Sequence, residues 1–346
     1  MASADFKLVP LLPITRAKLV GSSAPAQALP EYFASAVYAA GDIRGITSSG
    51  VQDAYQSLQA ENVGNAPATS PAWWKPLGRV STYLSNGSYA VDAVVVDQLN
   101  QLVYQSLIAN NTGKALTDKN SWLPLGSTNT WRMFDKVVNT QTLAPDFITV
   151  QVSPGELCNT ITLLNVTGPS VTVEQTQSGY KRTRSLVKHN KLSWYDWFYD
   201  EPLWISDVVF DDIPPYPNAM LTVTVSSPGG QAGVGCCFFG KARIIGTTQW
   251  GLTAGIFSYS GSETDKFGNM TLVKRDSAKR MNFEVSIPQG YEDEAYRILR
   301  DYTDVEIVAI ATTEYALALS YGTLGSWEVP VAIDGKLMPI EWRGLI

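Results

Sequence analysis

Ala54-Tyr55-Gln56-Ser57-Leu58-Gln59-Ala60 returns further along the chain as Val103-Tyr104-Gln105-Ser106-Leu107-Ile108-Ala109. The match runs on through Asn62-Val63-Gly64 against Asn111-Thr112-Gly113, Ala66 against Ala115, Trp73 against Trp122, and Pro76-Leu77-Gly78 against Pro124-Leu125-Gly126. The offset is 49 residues as far as the tryptophans and 48 beyond them, with Trp74 as the extra residue of the first copy. One residue of drift over so long a match marks an internal duplication, which decides the architecture before any single element does. Upstream, Tyr38-Ala39-Ala40-Gly41-Asp42-Ile43 pairs with Tyr89-Ala90-Val91-Asp92-Ala93-Val94, so each copy opens near a tyrosine and closes at Pro-Leu-Gly. A Tyr-centred strand (Tyr55, Tyr104), an Asn/Gly turn and a Trp before the closing turn predict short strands in each copy. Modules this small hold little core, so one or two aromatic rings must supply most of it. That assigns Trp73 and Trp122 to the module interiors.

Outward from the repeats, residues 1–30 are rich in Pro, Ala and Ser and read as an extended arm laid along a neighbouring subunit or left disordered. Residues 31–80 and 81–128 are the two small β repeats. From 129 to 245, runs such as Phe147 to Val152, Thr160 to Val166, Val171 to Gln175, Met220 to Val225 and Val234 to Phe239 alternate with Pro/Gly turns. That spacing predicts a β-sandwich of jelly-roll type. Residues 246–346 read as an α+β unit. Strands at Gly255 to Tyr259 and Met270 to Arg275 flank the turn Asp265-Lys266-Phe267-Gly268-Asn269, and a hairpin turns at Asp334-Gly335. Tyr291, Ala295, Ile298, Leu299 and Tyr302 fall at helical spacing behind Glu292, Asp293 and Glu294, where the helix dipole favours carboxylates. The fold class is therefore mainly β and multidomain.

The 346 residues are 45% hydrophobic and 17% charged, with 10 Trp, 16 Tyr and 11 Phe, a composition that folds and that suits burial against partners. A net charge of -6 gives no broad positive field for phosphate backbones, and Lys181-Arg182-Thr183-Arg184 reads as a solvated loop or strand edge, so nucleic acid is not an expected partner. No segment has the basic start and apolar run of a signal peptide, and no apolar stretch reaches the ~20 residues of a membrane span. The expected site of synthesis and folding is a bacterial cytoplasm, without membrane insertion.

Chemistry-bearing constellations are sparse. The single histidine, His189, stands in the polar run Lys188-His189-Asn190-Lys191, which favours an exposed loop over a metal or triad role. Cys158 and the adjacent Cys236-Cys237 have neither zinc-ligand nor disulfide spacing and read as small core residues. The acids within Trp194-Tyr195-Asp196-Trp197-Phe198-Tyr199-Asp200-Glu201 resemble a glycosidase pair, but a sandwich strand with aromatics on both faces accounts for the run more simply. Gly229-Gly230, Gly233 and Gly235 have no following helix and hold no phosphate. Asp211-Asp212 before Pro214-Pro215 reads as a solvated turn in preference to a cation site. No enzyme activity, cofactor or metal is expected.

With these residues in view, the repeats, each with a leading Tyr, a Tyr-Gln-Ser-Leu strand, an Asn-Gly turn and a late Trp, resemble small carbohydrate-binding modules of the chitin-binding kind. Asn129-Thr130-Trp131-Arg132-Met133-Phe134-Asp135, Thr248-Gln249-Trp250-Gly251, Glu263 to Asn269 and Lys279-Arg280-Met281-Asn282-Phe283 are similar to a family of tailed-bacteriophage tail and baseplate virion proteins. The resemblance covers roughly residues 35–340. It implies a structural role in the tail, baseplate or fibre-attachment apparatus, located in the virion, with other tail proteins and further copies of the chain as partners. Its alternative is a receptor-binding protein that grips host polysaccharide through Tyr55, Trp73, Trp74, Tyr104 and Trp122. Trp131 joins these as a candidate for sugar or partner contact. Such rings must be exposed to serve, and the Trp73-Trp74 pair makes the first copy the better platform.

Overall fold

The computed structural model describes residues 4–188, 193–199, 202–264, 270–273, 275–330 and 337–345. The chain is mainly β and multidomain, with almost all pairing antiparallel. His189, the Asp265–Asn269 turn and the Asp334-Gly335 turn lie outside the described residues, as do Asp200 and Glu201.

Each repeat is a three-stranded antiparallel sheet. Ile43–Ser48, Val51–Ser57 and Trp74–Arg79 form the first, and Val94–Asp97, Leu102–Ser106 and Trp122–Ser127 the second. A short parallel strand flanks each of them. Ser81–Thr82 lies beside Val95 and Val96, and the stretch Pro30 to Tyr32 bonds Gly45 from both sides. The modules share one small core of Leu29, Ala54, Leu77, Val94 and Val103.

The arm is the main departure from expectation. It is neither disordered nor free to lie on a neighbour, because Ala4–Pro10 is an interior strand of the C-terminal sheet, with Phe6, Leu8 and Val9 buried. It pairs with Arg243–Thr248 on one side and Ile307–Ile310 on the other. The order continues through Leu319–Trp327, Leu337–Gly344 and Ser277–Ser286, which returns to Arg243–Thr248 at Thr247–Ser286 and Thr248–Val285. The predicted sheet thus closes into a six-stranded antiparallel barrel. Phe6, Leu8, Met281, Phe283, Ile307, Met338 and Trp342 fill it, and Ala295, Ile298 and Leu299 of the helix Glu292–Asp301 join that core. So narrow a barrel brings backbones together. A Cβ on Gly322 would collide with the Arg343 carbonyl oxygen, and one on Gly246 with that of Ser286.

Downstream of the barrel strand the arm continues as Leu19–Ser22 along the sandwich strand Thr142–Val152. It then docks on the first repeat, where the Gln52 side-chain amide exchanges both bonds with the Leu29 backbone at 2.8 and 2.9 Å.

The sandwich is one sheet bent upon itself. Thr142–Val152, the 20-residue Leu221–Gly240 and the pair Thr160–Thr167 and Ser170–Gln175 run side by side and break step together. The break falls at Pro145/Asp146, at Pro228-Gly229-Gly230 and at Gly168-Pro169. Gly229, at φ 69°, donates its N–H to Asp146 Oδ1 at 2.8 Å and so fixes the bulge. Both halves line one core, with Ile161, Leu163, Phe210 and Phe239 from one and Val150, Val173, Leu221 and Val223 from the other.

A second apolar layer joins sandwich to barrel: Val9, Val308, Ile310, Leu319 and Tyr321 against Leu164, Val209, Cys236 and Phe238. The Phe238 and Tyr321 rings meet at 4.8 Å, tilted by 40°. Strands covered on both faces read as unbroken apolar runs, which is why Ile307-Val308-Ala309-Ile310 and Cys236-Cys237-Phe238-Phe239 show no alternation.

Candidate interaction surfaces

The same aromatic cage is built in both repeats. In the first, Trp74 meets Tyr38 at 5.3 Å and Tyr32 at 5.9 Å, edge to face; in the second, Trp122 meets Tyr89 at 5.3 Å and Tyr83 at 5.8 Å. The indole N–H donates to the Asn65 carbonyl at 2.8 Å in one copy and to Lys114 at 3.2 Å in the other. The Tyr38 hydroxyl accepts from the Phe33 N–H and donates to the Phe33 carbonyl, and Tyr89 does both with Leu84. Asn62 Nδ2 donates to Ser57 Oγ at 2.9 Å, and Asn111 Nδ2 to Ser106 Oγ at 3.1 Å. These bonds recur in both copies, but the pairing is not complete: Asn62 Oδ1 accepts from Asn65 and the Tyr83 hydroxyl donates to the Lys114 carbonyl, whereas the buried Asn111 Oδ1 and Tyr32 hydroxyl find no partner among the described residues.

Two corrections follow. The structural counterpart of Trp122 is Trp74, while Trp73 corresponds to Ser121, since the carbonyls of these two both face the buried asparagine. The extra residue of the first copy therefore lies before the tryptophans. Trp74 and Trp122 are each 1% exposed, so neither ring offers a face to a sugar or a partner. They are withdrawn as contact residues because a module this small needs them as its core. The spacing Trp-x-Pro-Leu-Gly, shared by Trp74 and Trp122 but not by Trp73, carries this register in the sequence. Tyr32 and Tyr83 complete the cages, and their sequence signal is a tyrosine six residues before Tyr38 and Tyr89 in both copies.

Tyr55, Tyr104 and Trp73 are half-buried on their modules, and burial raises the Tyr104 hydroxyl above its ordinary range. Trp131 stands on the 3-10 helix Asn129–Phe134 against Phe134, 5.8 Å away, at the rim of a cleft of about 780 Å³. Arg16, Gln52, Arg79, Gln98 and Gln101 line the same cleft between the arm and the two repeats. The structure does not gather the sequence candidates into one platform.

Among the described residues, the acidic pair Asp211-Asp212 and the basic run are engaged. Lys7 holds Asp211 at 2.8 Å, and Tyr180 and Arg182 hold Asp212. Lys181 pairs with Glu174 at 2.8 Å and Arg184 lies over the Phe210 ring at 5.4 Å, so the basic run is a strand edge whose cations each have a neighbour. Burial pushes the Cys158 thiol up to about 11 and those of Cys236 and Cys237 higher still. The run from Trp194 departs from the expected strand. Trp194–Tyr199 is a short helix with Trp194, Phe198 and Tyr199 exposed, its backbone bonds closed locally and not across a sheet.

A strongly exposed apolar surface lies in the C-terminal unit, on residues that the sequence does not mark as contacts. Trp250 is 87% exposed beside a groove of about 580 Å³ on the outer barrel wall, lined by Arg280, Asn282, Glu284, Trp327 and Glu341. Thr253–Ser258 follows, pairs only with Ser277–Ser286 among the described residues, and is exposed at every position. Its leg continues into the hairpin Gly261–Thr264 with Met270–Val273. The available signal was the uncharged run Thr253-Ala254-Gly255-Ile256-Phe257-Ser258, which has no polar face to turn to water.

No protein-family model matches this chain, and no match to it is found among curated proteins.

Proposed function

We propose that the chain is a structural component of a tailed-bacteriophage virion, acting in the tail, baseplate or fibre-attachment apparatus through contacts with other tail proteins and with its own copies. The observation that carries this is the exposed apolar edge Thr253–Ser258 with its hairpin, on which Ile256, Met270 and Leu272 are more than two-thirds exposed. Apolar surface of this kind marks a protein that works while covered by a partner. The duplicated modules and the aromatic helix at Trp194 support the same role, as does the resemblance of the joining segments, such as residues 129–135 and 248–251, to tail and baseplate proteins. Peptide mass spectrometry of gradient-purified phage particles from the host that encodes the chain tests it. The chain should be present in fixed ratio to known tail proteins, and its absence from intact particles rejects the role.

A second role, recognition of host polysaccharide, is favoured by one observation, the exposed Trp250 indole next to a groove with amide, carboxylate and guanidinium groups. It moves the sugar contact away from the repeats. A glycan array probed with wild type and Trp250→Ala distinguishes it: binding should appear and be lost with the ring.

A further inference from the structure

We infer that Thr253–Ser258 is a self-pairing edge, through which two copies of the chain join their barrels about a twofold axis by antiparallel strand addition. A sheet edge exposes unpaired N–H and C=O groups, and proteins blunt such edges with charge, proline, shortness or a covering element. The other sheet-ending strands here obey that rule. Tyr180–Ser185 carries Lys181, Arg182 and Arg184; Trp74–Arg79 carries Lys75, Pro76 and Arg79; Trp122–Ser127 has Pro124; Ile43–Ser48 has Arg44. Leu19–Ser22, Val208–Phe210 and Met270–Val273 are four residues or fewer. Among the described strands that end a sheet, Thr253–Ser258 alone is longer than four residues and free of both charge and proline.

That contrast selects the occupant. With every other long edge among the described strands blunted, a copy offers no second open edge there to receive this one, which leaves the strand to meet itself. The resulting contact is isologous and closed, and an uncharged strand faces its twin without repulsion. At about 200 Å² for a large side chain, the exposed fractions of Ile256, Phe257, Tyr259, Met270, Leu272 and the nearby Trp250 amount to roughly 800 Å², comparable with the ~800 Å² per partner of a standard stable interface. The inference rests on the assembly role and names one of its partners.

Sedimentation velocity on the purified full chain tests it. Wild type should sediment at twice the 37.7 kDa chain mass at tens of micromolar. Ile256→Lys alters a side chain that is 74% exposed and places like charges near each other across the axis, so it should weaken the dimer at least tenfold with an unchanged circular dichroism spectrum and melting temperature. Leu99→Lys, on an exposed turn of the second repeat, should leave the dimer intact. Amides of Thr253–Ser258 should exchange more slowly as protein concentration rises. A monomeric wild type overturns the inference. So does a dimer indifferent to Ile256→Lys, which leaves the assembly role standing through another surface; absence from particles defeats that role whatever the dimer does.

Discussion

Asn129 holds Leu143 by both ends of its amide, Nδ2 donating to the Leu143 carbonyl at 2.9 Å while the Leu143 N–H donates to Oδ1 at 3.0 Å. Its backbone N–H reaches the Gln27 carbonyl at 3.0 Å, and its own carbonyl accepts from Thr142 Oγ1 at 2.7 Å. One wholly buried side chain therefore joins the arm, the end of the second repeat and the first strand of the sandwich. The joint is polar where a hydrophobic contact would allow sliding, so the repeats sit at a defined angle to the body.

Asn129→Leu should leave two backbone groups of Leu143 unpaired in the interior, at roughly 1–3 kcal/mol each. Urea denaturation is expected to show a loss of about 2–5 kcal/mol. An unchanged midpoint would mean that water takes over both bonds.

Trp74→Ala and Trp122→Ala should each cost about 3–5 kcal/mol, because each empties the core of a module. Trp250→Ala should stay within about 0.5 kcal/mol, since that ring is already in water. Thermal melts check the stabilities, and acrylamide quenching should lose a readily accessible component only in the Trp250 variant.

Removing residues 4–10 opens the barrel along both neighbours of the missing strand. The shortened chain should be digested rapidly in its last hundred residues under mild trypsin treatment, and Phe6→Ala alone should cost about 3–5 kcal/mol. A barrel equally resistant without the strand would show that the closure is dispensable.

The three thiols should be silent toward Ellman's reagent at pH 8 in the native protein and react in full once guanidinium unfolds it. Burial keeps each protonated and out of reach, and the thiolate is the reactive form. Prompt labelling of even one native thiol would contradict the packing described at Cys236 and Cys237.

Lys136 donates to Glu306 at 2.8 Å and holds its carboxyl below the ordinary value of 4.5. Folding thus favours the ionised carboxylate, so the contribution is complete above the unfolded value and fades as pH falls through the lower folded one. With both side chains nearly half exposed, the effect should be under about 1 kcal/mol. Lys136→Met should remove that part of the acid dependence and leave stability above neutral pH lower by the same small amount. An acid profile identical to wild type would show that solvent already screens the pair.

The duplication was legible because turn residues and buried polar atoms recur at fixed spacing, and Asn62 with Ser57 does the same work as Asn111 with Ser106. The sandwich strands were legible from their turn punctuation. The arm was not, because Pro10, Pro13, Pro25 and Pro30 dominate its composition while Phe6 and Leu8 give only two beats of alternation. Its partners lie hundreds of residues away, and local pattern carries no record of a non-local pairing. The contact residues were the least legible part. An aromatic-rich small module needs rings both inside and outside, and composition does not say which is which. Trp73 and Trp74 are adjacent in the chain, yet the first is half-buried at the surface and the second fills the core.

The position of Ala4–Pro10 between strands from the far end of the chain imposes an order on biosynthesis. A ribosome adding roughly 5–20 residues per second needs on the order of 15–60 s after this segment emerges before its last neighbour exists. Both small repeats and the sandwich can mature in that interval, while the segment waits with its apolar side chains unsheltered. The barrel, and with it the edge proposed to join two copies, is then the last part to form, so subunits cannot couple through it before each chain is complete.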